Sequence, residues 1–410
     1  MQDMTTRLNA LLEELKPEAL RLLERMVSVN SFTSNAAGVD AVGRITASAF
    51  EELGFEAEFV KSDHPEQGHH LFLQKSRGSG PLVLLVTHLD TVFPPEEETA
   101  NDFCWQPAPH EKRIYGPGTI DIKGGTVLLW MMLKAMRELF PELWHGTDWL
   151  IAANAAEEVL SQDFARHATA RCVEGAAAVL VFEGGPVIDG RHHFVVARKG
   201  RAEYRISVRG RGAHAGSAFG EGVNAVTALA PLMTSAAALS HPSKELTVNV
   251  ARVEGGTVLN RVPHEAMFEL EMRAYEPEHL RRAGDVLLSW AKRGLPEIEV
   301  SCLGESPAWP ADDENLKLAL HWAQAAQQLG LEILPSRRGG LSDANYLCHL
   351  GPTLDGLGPS GGNAHCSERS EDGSKVPEYL QPDTLVPKAA INVLALTKLL
   401  GSADQQTVHP

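Results

Sequence analysis

The run Pro81–Leu89, PLVLLVTHL, constrains the fold more than any other stretch of the chain. It is short, β-branched and almost continuously apolar, the pattern of a strand buried on both faces of a parallel sheet. It ends in His88-Leu89-Asp90. Two further runs repeat the design: 149–154 leads into Glu157-Glu158, and 177–182 leads into Glu183. Helices are expected at about 5–29 and 39–53, with a break at 31–37, and again at 126–139. Strands alternating with helices predict an α/β domain whose mixed, mostly parallel sheet is flanked by helices. Functional groups in such sheets gather at the carboxyl ends of the strands. His88, Asp90, Glu157, Glu158 and Glu183 all fall there.

The pattern changes near Lys199. Strands are expected at 203–209, 246–254, 266–274 and 297–303, with helices at 224–239 and 277–293. Tyr204, Ile206 and Val208, then Phe268, Leu270 and Met272, alternate with polar residues, so one face of this sheet is wet. The order β-α-β-β-α-β is the split βαβ, ferredoxin-like unit. An α+β domain at 198–306 is therefore expected as an insertion into a discontinuous domain formed by 1–197 and 307–410. The second part of that domain brings a helix at 314–329, a short strand at 353–357 and a last helix at 384–400.

A formal charge of −16 argues against nucleic acid or an anionic membrane as partner, since both call for a basic face. Five cysteines without CxxC spacing predict reduced thiols in a cytoplasmic protein rather than a disulfide framework. The first twenty residues mix charges with leucines and contain no signal-peptide core. No run approaches the ~18 apolar residues of a membrane span.

The chemistry-bearing residues form an ordered set. Zinc takes imidazole nitrogen and carboxylate oxygen, and a metal pair needs a shared ligand, most simply a bridging carboxylate. Two histidines and three carboxylates stand beside strand ends or in glycine-rich loops: His88, Asp121, Glu158, Glu183 and His365. Asp121 lies between Gly118 and Gly124-Gly125, and His365 follows Gly361-Gly362-Asn363. One histidine among 17 says little alone, and Glu157-Glu158 would pass as an ordinary helix-start pair. Asp90 and Asp121 singly would pass as turn residues. The ordered set raises the joint reading above these alternatives. His69-His70 and His192-His193 read as surface-loop or hairpin pairs. The stretch 210–216, GRGAHAG, imitates a dinucleotide loop, but its last glycine comes one place late and no helix opens on it.

These motifs, taken in order, resemble the dinuclear-zinc aminoacylase and carboxypeptidase family, most closely the glutamate carboxypeptidases of the carboxypeptidase G type. The matching stretches are THLDTVF at 87–93, GPGTIDIKGG at 116–125, AAEE at 155–158, FEGG at 182–185, RGRGAHAG at 209–216, GGTVLNRVP at 255–263, RRGGLSDAN at 337–345 and the loop around His365. They span nearly the whole chain.

The resemblance implies a zinc-exopeptidase type catalytic domain with an inserted lid and dimerisation domain. It implies two divalent metal ions per subunit, zinc first, with cobalt or manganese as alternatives. Asp121 would bridge them; His88 and Glu183 would complete one site, Glu158 and His365 the other. Glu157 would be the general base, and Asp90 would orient the His88 imidazole. The peptide bond after Asp121 would be cis. His214 would reach the partner subunit's active site and stabilise the oxyanion, with Asn260 nearby. Arg337 would grip the substrate's free carboxylate, with Arg273 as a second candidate. Leu341 stands where the family tends to have glycine, and the loop Cys366–Tyr379 is longer than usual. Both lie where substrate choice would be made.

The expected partners are a small peptide or N-acyl amino acid and a second copy of the chain, docked through the inserted domain. The expected reaction is hydrolysis of an amide next to an amino acid with a free carboxylate, as a carboxypeptidase releasing a residue such as glutamate. An N-acyl-amino-acid amidohydrolase on the same site is the alternative, an aminodipeptidase the third reading, and a non-catalytic binding module the alternative of another class.

Overall fold

The computed structural model describes residues 2–406 except 76, 77 and 79. The chain divides into two compact units: one runs to Val196 and includes Ala311–Ser336 and the chain from Ser342 on, while the other comprises Ala197–Pro310 and Arg337–Leu341.

In the first unit, a six-stranded sheet has the spatial order Glu56–Lys61, His69–Lys75, Asp148–Asn154, Leu82–His88, Ala178–Val181, Thr353–Leu354. The last four strands run parallel and the first two pair antiparallel at one side. Leu82–His88 is thus flanked on both sides by parallel strands, which explains its unbroken apolar run: Val83 to Val86 are fully buried. The register pairs His88 with Asn154 and Val86 with Val181. Three strands therefore finish at one edge, carrying His88, the Ala155–Glu158 turn and Glu183 to the same end of the sheet.

Helices Gln2–Val27, Lys123–Leu139 and Leu385–Gln406 contribute to one continuous apolar core with the sheet. Lys123–Leu139 buries residues on every side of its first three turns, from Lys123 to Leu133. Gly125 is required at its start, because a Cβ there would stand 1.9 Å from the Phe182 carbonyl oxygen.

The helix at the C-terminal end corrects one expectation. Pro382–Gly401 is long and apolar enough to cross a membrane by length and composition, and two-thirds of it is buried inside the protein. Its Asn392 accepts from the Trp322 indole N–H at 2.7 Å and donates to the Leu357 carbonyl at 3.0 Å. Polar cross-ties of this kind belong to a core helix.

In the second unit, the four-stranded antiparallel sheet has the order Thr247–Gly255, Glu265–Ala274, Gly200–Arg209, Glu297–Ser306. Numbered along the chain this is 2-3-1-4, the arrangement the β-α-β-β-α-β order demands. Tyr204, Ile206, Val208, Phe268, Leu270 and Met272 bury one face together with residues of helices Ala225–Ala237 and Pro277–Leu288.

The unit boundaries differ from the expected ones at Ala197 and 307–310 and at Arg337–Leu341, all of which belong to the second unit. Hydrogen bonds explain the latter. Arg198 donates to the Gly340 and Leu341 carbonyls, Arg273 donates to the Gly339 carbonyl, and the Lys199 N–H donates to the Arg338 carbonyl. The strand Ile333–Arg338, unforeseen in the sequence, carries the chain from one unit into the other.

Candidate metal centre

His88, Asp121 and Glu158 present donor atoms that all lie within 4.8 Å of one another. His88 is buried, and its Nε2 stands 2.9 Å from Asp121 Oδ1 and 3.7 Å from Glu183 Oε1. On the opposite side, His365 Nε2 stands 3.2 Å from Asp121 Oδ2 and 3.2 Å from Glu158 Oε2. The two oxygens of Asp121 thus face different histidines, each accompanied by one further carboxylate. Two donors each about 2.0–2.2 Å from a common ion are separated by roughly these distances. The five side chains make a nitrogen and oxygen donor set that fits divalent metal, with Asp121 between the two histidines. Glu158 Oε1, buried without a hydrogen-bond partner, is a further donor atom suited to an ion.

Local structure explains how each group arrives. Asp121 follows the stretch Gly116–Ile120 and stands two residues before Lys123, where a helix begins whose dipole favours a nearby carboxylate. Gly118 has φ +75°, and a Cβ there would meet Thr91 and Lys123 side chains at about 3 Å. The Asp121–Ile122 peptide is cis. His365 has φ +65° in an irregular loop. Glu157 and Glu158 sit on a single 3-10 turn, Glu157–Val159, instead of opening an α-helix.

Asp90 is buried and organises three segments. Its carboxylate accepts from the Glu157 N–H at 3.1 Å, the Glu158 N–H at 3.3 Å and the Thr33 hydroxyl at 2.7 Å. The His88 Nδ1 meets the Asp90 carbonyl at 3.1 Å and Oδ1 at 3.4 Å, which directs Nε2 toward Asp121 and Glu183.

Electrostatics follow from this crowding. Burial raises the Glu157 carboxyl well above the ordinary range; Glu183, Asp343 and Glu158 add to the effect, against the opposing charge of His88. A carboxyl held high beside a reaction centre is suited to taking and returning protons near neutral pH. Burial opposes the charge on Asp121, but hydrogen bonds from His365 and His88 outweigh it and hold Asp121 well below its usual value. Burial would also lower His88, yet its bonds to Asp121 and Asp90 raise it well above its ordinary value. Hydrogen bonds to Asp121 and Glu158 raise His365 to about 11.

Metal uptake is therefore coupled to protons. The hydrogen bonds that raise both imidazoles favour their protonated forms in the metal-free protein, and each loses its proton on becoming a ligand. Loading at pH 7 is expected to release at least two protons per subunit. Affinity is expected to weaken by roughly tenfold per proton for each pH unit lowered. Calorimetric titration with zinc in buffers of different ionisation enthalpy measures the number directly; release of fewer than one proton would contradict the arrangement.

Glu378 escaped the sequence reading. It is fully buried, and its Oε1 accepts from the Ile120 N–H at 2.9 Å and the Asp121 N–H at 3.2 Å. Burial and the nearby Asp121 push its carboxyl up to about 8. It pins the backbone that presents Asp121. A lone glutamate before a two-residue strand carries no periodic signal that would separate it from a solvated one. His70, read in sequence as a surface residue, is also fully buried.

The remaining candidates lie in the second unit. His214 is exposed, and its Nδ1 accepts from the Gly216 and Ser217 N–H groups, both at 3.1 Å. That leaves Nε2 to carry the proton outward as a donor. Asn260 is exposed, and its carbonyl accepts from the Ala215 N–H at 2.9 Å. Arg337 is engaged: it donates to Glu245 Oε2 at 2.7 Å and lies over the Tyr275 ring at 3.8 Å. Arg273 pairs with Glu271 at 2.6 Å. The 210–216 stretch opens no helix, in keeping with its rejection as a dinucleotide loop.

Comparison with known proteins adds to this geometry. Residues 196–299 match the model of the peptidase dimerisation domain of the M20 family. Carboxypeptidase G2 from Pseudomonas sp. (strain RS-16) is 28% identical over 375 residues, covering 89% of this chain and 87% of that protein. These matches make the chain similar to the M20 family of metallopeptidases, near the carboxypeptidase G type. It is an enzyme of the metallopeptidase and amidohydrolase class. In fold it is similar to aminopeptidase PepT from Bacillus cereus, with a TM-score of 0.75 and 21% identity over 94% of this chain and 99% of that one. An M20 family metallo-carboxypeptidase from Sulfolobus solfataricus shares the fold at a TM-score of 0.62 and 15% identity, over 93% of this chain and 99% of that one. The chain combines a mixed α/β unit whose sheet is flanked by helices with an α+β unit, in line with the expected fold class.

Proposed function

We propose that this metallopeptidase cleaves the amide bond next to an amino acid with a free carboxylate, as a carboxypeptidase releasing a residue such as glutamate. The observation that carries the metal-dependent part is the division of Asp121, one oxygen toward His88 and the other toward His365. In this reading Asp121 would be the shared ligand of two divalent ions. His88 and Glu183 would complete one site, and Glu158 and His365 the other. Zinc suits this nitrogen and oxygen donor set, with cobalt or manganese as substitutes. When bound, the ions supply polarisation of the amide carbonyl and lower the proton affinity of the attacking water.

The chain's own residues do the rest. Glu157 takes the proton from the attacking water and returns it to the departing nitrogen. Asp90 holds the His88 ring in the tautomer that offers Nε2. His214, with its Nε2–H directed outward, donates to the developing oxyanion in the partner subunit's active site, where Asn260 assists. The enzyme works as a homodimer joined through the second unit, supported by the match to a dimerisation domain. Its five free cysteines support a reducing, cytoplasmic location.

Arg337 and Arg273 receive the substrate carboxylate in the carboxypeptidase reading. Glu245 already compensates Arg337, and this favours keeping a second reading, an N-acyl-amino-acid amidohydrolase on the same site. A zinc-loaded substrate panel separates the two. Folyl and peptidyl glutamates are expected to be hydrolysed with the highest kcat/KM. Turnover of N-acetyl or N-succinyl amino acids with none of the glutamates would overturn the carboxypeptidase assignment and establish the deacylase.

A further inference from the structure

The turn that carries Glu157 and Glu158 is closed at both ends by one buried histidine–aspartate pair. His70 lies on the strand His69–Lys75, and its Nδ1 accepts from the Ala155 N–H at 3.1 Å. Its Nε2 faces Asp163 Oδ2 at 3.1 Å. The other oxygen of Asp163, Oδ1, accepts from the Ser161 hydroxyl at 2.6 Å, while the Asp63 N–H reaches Oδ2 at 2.8 Å. The Ser161 N–H returns to the Ala156 carbonyl at 3.2 Å. A path from Ala155 through His70 and Asp163 to Ser161 thus spans the turn from its first residue to its last. All four residues are buried.

The hydrogen bonding assigns the tautomer. A ring nitrogen that receives a backbone N–H carries no proton of its own, so Nε2 bears the hydrogen and gives it to Asp163. The ring is neutral, and both of its nitrogens are committed to protein partners. Burial acts in the same sense, drawing His70 below its ordinary value against the raising influence of Asp163. Nothing on the ring remains to touch a substrate, so any part it plays in turnover is indirect.

We propose that His70 and Asp163 are positioning residues that set the placement of the general base by clamping both ends of the Ala155–Ser161 turn. The inference rests on the reading of Glu157 as the base. The physical need is clear: a proton-transferring group works only within hydrogen-bond reach of its target, and a displacement of about 1 Å costs on the order of 100-fold in rate. Asp90 holds the Glu157 and Glu158 N–H groups from the strand side, and the His70–Asp163 pair holds the two ends of the turn.

Two substitutions of His70 separate positioning from bulk stability. Asparagine places its carbonyl oxygen where Nδ1 stands and keeps the bond from Ala155. Glutamine reaches Asp163 instead and leaves the Ala155 N–H without its acceptor. At full zinc occupancy His70→Gln is expected to lower kcat by about 10–100-fold with KM little changed, and His70→Asn to recover much of that loss. In the metal-free protein, hydrogen–deuterium exchange over residues 155–161 should be faster in His70→Gln than in His70→Asn. Ser161→Ala, which deletes a single oxygen from the far end of the path, should lower kcat in the same direction and covers the case in which a His70 variant fails to fold. Parental kcat per metal-loaded subunit in Ser161→Ala and in any folded His70→Gln, with unchanged exchange, would overturn the clamp. Glu157→Ala, assayed alongside, keeps the two ideas apart. If it loses turnover while the clamp variants keep theirs, only the clamp fails. If it retains turnover, the base reading fails, and the exchange rates alone test whether the turn is held.

Discussion

Glu157→Ala is expected to keep both metals and to lose kcat by about 10²–10⁴-fold, the range a positioned general acid–base supplies. The expectation follows from two features. The charges of His88, Glu183, Asp343 and Glu158 act on the Glu157 carboxyl, while the clustered donor atoms are those of His88, Asp121 and Glu158. The Glu157 carboxyl is also raised by burial, which matches a group that exchanges protons during turnover rather than one locked to an ion. Metal content by plasma emission and steady-state kinetics on the best substrate of the panel measure the two halves. Retained turnover would remove Glu157 from the mechanism, and lost metal would recast it as a ligand.

Asp121→Ala is expected to behave in the opposite way. With no shared oxygen pair, His88 and His365 no longer address a common carboxylate, and the surrounding charges repel one another less evenly. Metal affinity should fall by more than about 100-fold, beyond the loss typical of outer-sphere changes, and activity should disappear with it. Circular dichroism should show the fold intact, since Asp121 lies in a loop just ahead of a helix whose packing is apolar. Unchanged zinc content in Asp121→Ala would exclude a bridging role.

How much of this was legible in the sequence depends on what holds each residue. His88, Glu157, Glu158 and Glu183 could be found because a parallel strand buried on both faces reads as an uninterrupted apolar run, and its end is where side chains become available. The ferredoxin-like unit was legible from strict alternation, as in Tyr204, Ile206 and Val208. His365 was weaker, because a left-handed backbone in an irregular loop leaves no period to read. The strands Glu56–Lys61 and His69–Lys75 were missed. The first is exposed almost throughout and mixes charges with apolar residues, as a solvated edge strand does. The second hid its buried histidine behind a glycine and a more exposed one, Gly68 and His69. His70 earns its burial from Asp163, a partner 93 positions away that no local pattern reveals. Glu378 is similar, 257 positions from the Asp121 N–H it accepts. Arg337–Leu341 looked like part of the larger unit in sequence order and joins the smaller one through arginine-to-carbonyl bonds.

The most direct test of the two-metal account is an anomalous-diffraction map of zinc-loaded crystals. The geometry predicts two peaks per subunit, about 3.5–4 Å apart. One should lie against His88 and Glu183 and the other against Glu158 and His365, with an oxygen of Asp121 on each. A single peak, or a second peak away from His365, would contradict it.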